Sequence, residues 1–205
     1  MISKFEKAKA YFTLKYGKYR KIHSGYHSLL IKPLQIDGPE GIAIGDQTYI
    51  AEGAWLFAGI PDDVCSGGGK DNHGGVARDI TACSLRIGAH CEIGHFAHIV
   101  AKQSVTIEDS VLFADKVFVS DCTHEFADIE KPVLNQPVTF IKEVTIGEGS
   151  WLGENVCVLG ASIGKHCIIG SNAVVTKDIP DYSIAVGSPA RVIRHYDFEK
   201  KEWVR

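Results

Sequence analysis

Nowhere in the 205 residues is there an apolar run approaching the ~20 residues that a membrane-spanning helix requires, so no integral membrane segment is expected. Charge of one sign is equally scarce. The 22 Lys and Arg stand against 25 Asp and Glu, a formal net charge of -3, which gives no basis for a nucleic-acid partner or for an anionic membrane surface. The opening MISKFEKAKAYFTLKYGKYRK has neither an uninterrupted apolar core nor a small-residue cleavage site, which argues against a secretory signal and for a cytoplasmic location. The six cysteines, at 65, 83, 91, 122, 157 and 167, form no CxxC pair. In a chain long enough to bury a core of its own, they read as reduced, buried, small apolar residues.

What the sequence does have is a period of six. From Ile44 it reads IGDQTY, IAEGAW and LFAG; from Ile87, IGAHCE, IGHFAH and IVAKQS; from Ile107, IEDSVL, FADKVF and VSDCTH. A block from Ile146 gives IGEGSW, LGENVC and the shortened VLGAS, and one from Ile163 gives IGKHCI, IGSNAV and VTKDIP. Most units open with an aliphatic residue, usually followed by Gly, Ala, Glu or Ser. The fifth position is small or β-branched, as at Thr48, Ala54, Cys91, Ala97, Ser150, Val156, Cys167 and Ala173. If each hexad is a short strand plus a corner, three of them close a triangular coil of about 18 residues. The opening aliphatics then stack inward, coil upon coil. Neither a helical nor a two-residue period fits these blocks as well. The expected fold class is all-β, a parallel β-helix of hexapeptide repeats over residues 36–189.

Two segments leave the period. Residues 61–83 are rich in Gly and Asp and read as a loop, and residues 121–143 interrupt the repeat between Val119 and Val144. Long excursions from a compact scaffold commonly carry function. Residues 1–35 read as an N-terminal extension, with a helix within 2–21 and SLLIKPLQI as an entering strand. Residues 190–205 read as a C-terminal cap, a short helix or a tail, needed because the last coil would otherwise expose a strand edge.

With the hexads and the ending IGSNAVVTKDIPDYSIAVGSPARVIR in view, residues 36 to about 194 resemble the hexapeptide-repeat acyltransferases, and among them the CoA-dependent sugar and polysaccharide O-acetyltransferases. The resemblance implies a left-handed coil, a homotrimer with active sites between neighbouring subunits, and transfer of acetyl from acetyl-CoA to a sugar or surface-polysaccharide hydroxyl. His124, in SDCTHEF, resembles the family's catalytic histidine, a general base suited to neutral pH. Asp121 would orient that imidazole, or else form a turn. The resemblance places the backbone oxyanion donor within Trp151 to Glu154, with Trp151 and Gly153 on the acceptor side. For the cofactor-like substrate it implies Glu154, where many relatives carry a small residue, Ser171 beside pantetheine, and Thr176, Lys177, Arg191 and Arg194 on the phosphates.

Other readings weigh less. GGGK at 67–70 is followed by Asp71 and lacks the GxxxxGK spacing of a phosphate loop. His90, His95 and His98 raise the question of a metal, since the same fold hosts metal-dependent lyases, but their spacing does not match and no metal is expected. A non-enzymatic scaffold would need neither His124 nor the basic C-terminal set. An amino-sugar or antibiotic nitrogen is the alternative acceptor to oxygen. Tyr26, Trp55, His73 and residues 61–83 are acceptor-side candidates. The aromatic-bearing N-terminal segment has two candidate partners, a neighbouring subunit and a membrane-associated partner, and its interspersed charges favour the first.

Overall fold

The computed structural model describes residues 3–59, 69–70, 76–77 and 83–205. The loop expected at 61–83 falls largely outside them, as do Cys65 and His73; Gly69–Lys70 and Val76–Ala77 form an antiparallel pair.

The chain passes through three parallel sheets in the same order on each turn, the strand path of a three-faced β-helix. The first face stacks His23–Ser24, Ile42–Ile44, Leu85–Ile87, Val105–Ile107 and Val144–Ile146, and single bridges carry it on through Ile163 to Ile179. The second stacks Leu29–Leu30, Tyr49–Ile50, Glu92–Ile93, Leu112–Phe113, Trp151–Leu152, Ile168–Ile169 and Ser183–Val186. The third stacks Gln35–Asp37, Trp55–Ala58, His98–Ala101, Phe118–Ser120, Cys157–Leu159 and Val174–Val175. The hexad-opening aliphatics pair in register: Ile44, Ile87, Ile107 and Ile146 on the first face, Ile50, Ile93, Phe113 and Leu152 on the second, Leu56, Ile99, Val119 and Val158 on the third. All are buried and together form the core. The small fifth residues are buried as well, and the polar ones among them are satisfied. Ser150 Oγ donates to Gly164 O at 2.8 Å and accepts from Cys167 N at 2.9 Å.

The glycine after the opening aliphatic serves close approach rather than backbone twist. A Cβ on Gly45 would lie 2.5 Å from Ala89 N of the coil above. The left-handed conformation falls two residues later, on Gln47, His90, Ser110 and His166, where the corner turns.

The coil starts earlier than residue 36. His23–Ser24, Leu29–Leu30 and Gln35–Asp37 already pair in parallel with the second coil. Ser24 holds the place that Ile44 holds one coil on, so the aliphatic signature is missing there. Before it, the helix Lys4–Lys15 opens on a capping box in which Ser3 and Glu6 satisfy each other's backbone N–H groups. The C-terminal cap is a β-hairpin rather than a helix: Ser183–Val186 pairs antiparallel with Arg191–Asp197, which pairs with Glu202–Val204. Val192, Ile193, Tyr196 and Trp203 favour strand, and Tyr196 packs edge-on against Phe198 and Trp203.

Candidate active site

The excursion at 121–143 is an arm leaving the edge between the third and first faces. Its root strands, Cys122–His124 and Val138–Phe140, pair antiparallel, with His124 opposite Val138. His124 is exposed at the end of its strand. Farther out, one side-chain amide joins several points of the arm, beside the Lys131–Asp128 ion pair at 2.9 Å and the Glu125 N–H donating to Pro137 O at 2.8 Å. Gln136 is buried; its Nε2 donates to the carbonyls of Asp128 and Lys131, both at 2.9 Å, and its Oε1 accepts from Asp128 N at 3.2 Å. The arm's return is braced on the coil, where Lys142 Nζ meets the Asp178 carboxylate at 2.7 Å.

Asp121 does not steer His124 in this structure. Its carboxylate is buried and accepts three backbone N–H groups, from Lys102 at 2.7 Å, Gln103 at 2.7 Å and Ser104 at 2.8 Å. No hydrogen bond joins it to His124 among the described residues. The role recurs along the coil. Asp46, Asp109 and Asp181 each accept an amide from the preceding coil, from Tyr26, Ala89 and Lys165. Asp178 does the same for Ser162 at the edge that Asp121 occupies. Asp121 is the turn-former of its corner.

Trp151 lies on the outer side of the second face, 47% exposed, between Leu112 and Ile168 in the ladder. The amides of Trp151 and Gly153 donate to Cys167 O and Ile169 O at 2.8 Å and are thus engaged in the coil. The Glu154 N–H, at the following corner, has no carbonyl partner among the described residues. Of the expected oxyanion donors it is the open one. Its side chain turns to Lys116, 3.0 Å away.

Gly153 and Ser171 are in close contact at the edge between the second and third faces: a Cβ on Gly153 would lie 2.7 Å from Ser171 N and Oγ. Val186 reaches the same corner, against Gly170, and Ala190 N donates to Val174 O beside it. Arg191 follows directly. Ser171, Thr176, Lys177, Arg191 and Arg194 are all exposed around this end of the coil, Arg194 opposite Ile184 in the hairpin and Thr176 and Lys177 beyond Val175. The structure therefore gathers Gly153, Glu154, Ser171 and Arg191 near one edge but sets His124 on another edge of the same chain.

The remaining candidates scatter. His90 sits at the corner after the first face, His95 at the next, with Nδ1 3.1 Å from Asp115 Oδ1, and His98 on the third face. His98 stacks on Trp55, ring centroids 4.4 Å apart, with Phe118 on its other side at 5.2 Å. Burial lowers its pKa below the usual histidine value, favouring the neutral ring. Trp55 Nε1 donates to Asp37 at 3.0 Å, and Tyr26 is exposed against His27 at the first corner. A groove of about 850 Å³ runs along the first face past Ala43, Arg86, Thr106 and Glu148, away from both His124 and Trp151.

Residues 143–177 match the family model described as bacterial transferase hexapeptide (six repeats). WbbJ of Escherichia coli K12, provisionally named a lipopolysaccharide biosynthesis O-acetyl transferase, is 36% identical over 119 residues, covering 55% of this chain and 61% of that protein. Galactoside O-acetyltransferase of the same organism is 32% identical over 121 residues, 58% of each chain. The chain thus spans less than two thirds of these relatives' length. Among solved structures, the N-acyltransferase AntD of Bacillus cereus, in complex with dTDP and 3-hydroxybutyryl-CoA, superposes with a TM-score of 0.64 at 15% identity, over 89% of this chain and 88% of that one. That likeness is one of fold. The match over 143–177 marks that segment as similar to bacterial transferase hexapeptide repeats, and the chain is similar in sequence to proteins named O-acetyltransferases.

Proposed function

We propose that the protein is a cytoplasmic acetyltransferase, a left-handed β-helix acting as a homotrimer, that moves acetyl from acetyl-CoA to a hydroxyl of a sugar or surface polysaccharide. The observation that carries this reading is the division of the chemistry: His124 stands exposed on its arm at one edge, while the open Glu154 amide and the Ser171 corner lie at another. A neighbouring subunit that brings one edge against the other completes the site. The relatives' names favour oxygen over nitrogen as acceptor.

In the proposed reaction the His124 imidazole takes the proton of the acceptor hydroxyl as its oxygen attacks the thioester carbonyl. The tetrahedral oxyanion accepts a hydrogen bond from the Glu154 N–H, which is held by the coil and needs no rearrangement. Collapse breaks the carbon–sulfur bond, and the departing CoA thiolate takes the proton back from the imidazolium. Trp151 flanks the acceptor, Ser171 lies along pantetheine, and Thr176, Lys177, Arg191 and Arg194 face the phosphates.

The test is free-thiol release from acetyl-CoA across a panel of sugars and oligosaccharides, with wild type beside His124→Ala. Acceptor-dependent release in the wild type is expected to fall by about 10² to 10⁴ in a variant of unchanged fold and assembly. No release with any acceptor, together with no CoA binding, sinks the transferase reading.

A further inference from the structure

The N-terminal helix concentrates a charge that the rest of the chain lacks. Residues 3–21 contain seven Lys and Arg and one acid, Glu6; the remainder carries 15 against 24. The interspersed charges that pointed to a subunit contact are therefore nearly all of one sign. Glu6 is itself engaged, by the Ser3 cap and by Lys32 Nζ at 3.5 Å. Lys4, Lys7, Lys9 and Arg20 are exposed and make no ion pair among the described residues.

The helix Lys4–Lys15 has two faces. Leu14 is buried in the core cluster, and Lys15 donates to the carbonyl of Ser24. The opposite stripe runs through Phe5, Ala8, Lys9, Phe12 and, just past the helix, Tyr16, a spacing of three, four, seven and eleven from Phe5 that defines one helical side. Its aromatics face outward, Phe5 at 77%, Phe12 at 60% and Tyr16 at 70% exposure, with the Phe12 and Tyr16 rings 5.8 Å apart. Lys9 stands on this stripe and Lys4 on its flank, while Lys7 lies toward the Leu14 side. Three large aromatic rings exposed beside unpaired lysines are costly in water and suited to a headgroup boundary, where rings enter the acyl margin and ammonium groups meet phosphate.

We propose that this face docks on an anionic phospholipid surface, the helix lying in the plane of the interface. Charge complementarity chooses the partner: lysines favour the anionic headgroups, and the exposed Phe5 and Phe12 give the bound state an apolar contact that a polyanion in water does not offer. No described helix is long and apolar enough to cross a membrane, so the contact is peripheral.

The test is sedimentation of the full chain with vesicles of phosphatidylcholine alone, or of phosphatidylcholine with about a third phosphatidylglycerol. Binding is expected to the anionic vesicles, and to weaken at high salt. Phe5→Ala with Phe12→Ala and Tyr16→Ala is expected to lower the partition by about tenfold or more, as is Lys4→Glu with Lys9→Glu. All five side chains are exposed, and circular dichroism checks that each variant keeps its fold. Absence of vesicle binding overturns the proposal, as does unchanged binding by the aromatic variant, which would mark a purely ionic contact. A change of oligomeric state in the variants without vesicle binding would assign the face to a second copy and overturn it too. Transfer to a soluble acceptor is expected to be unaffected, so this outcome is separate from that of the proposed activity.

Discussion

At the scale of the residue, the side chain whose role changes most between sequence and structure is Asp121. Three residues before a histidine in a loop, it reads as readily as an orienting acid as a turn-former. The structure surrounds its carboxylate with the amides of Lys102, Gln103 and Ser104. Hydrogen bonds to a buried charged acceptor are individually strong, and losing them leaves donors at a tight corner. Asp121→Ala is accordingly expected to lower stability by about 2–3 kcal/mol, read as a fall in denaturation midpoint. The activity that survives is expected to keep the wild-type pH profile; a displaced profile would restore the orienting role. The aliphatic and small positions of the hexads were legible because burial constrains their chemistry directly. The Asp121 contacts were not, because they are made to backbone amides on another coil, which a sequence does not label. The open amide of Glu154 escaped for the same reason: one N–H is distinguished from its neighbours only by the ladder that engages the others.

At the scale of the element, the period of six made the strands readable wherever an aliphatic opened the unit, and hid the first coil, where Ser24 stands in its place. The cap at 190–205 was expected from the open edge of the last coil, but its hairpin form was not, because no repeat continues there to set the conformation. Two elements yield predictions. In the outer arm the buried Gln136 amide joins Asp128 and Lys131, which an ion pair also links. Gln136→Ala is expected to loosen the arm, giving faster proteolytic cleavage within 125–136 and, by displacing His124 on the order of 1 Å, a loss of about 10² in kcat. Unchanged cleavage and kcat would show the arm to be held elsewhere. On the third face, His98 lies between Trp55 and Phe118 with its pKa lowered by burial. A histidine with a folded pKa below its unfolded value contributes full stability above the unfolded pKa, about 6.5, and loses it as pH falls through the folded one. His98→Phe is therefore expected to flatten the fall of Tm between about pH 7 and 5. A parallel fall in both proteins would contradict the assignment.

At the scale of the whole molecule, the candidate site is divided. The arm rises between the third and first faces, and the Glu154 and Ser171 corner lies between the second and third, so no single chain juxtaposes His124 with the open amide. If the proposed trimer completes the site, each active site takes its base from one subunit and its donor groove from the next. Two inactive proteins must then rescue each other. His124→Ala spoils only the base half. Ser171→Trp, which puts a bulky ring at the exposed corner beside Gly153, spoils only the groove half. Unfolded and refolded together in equal amounts, random assembly gives any one site an intact half from each partner in roughly a quarter of cases, so about a quarter of wild-type activity is expected. Each variant refolded alone stays inactive. A mixture that also remains inactive, from proteins that demonstrably exchange subunits, would place the whole reaction within one chain, and the distance between these two edges would then exclude His124 as the base.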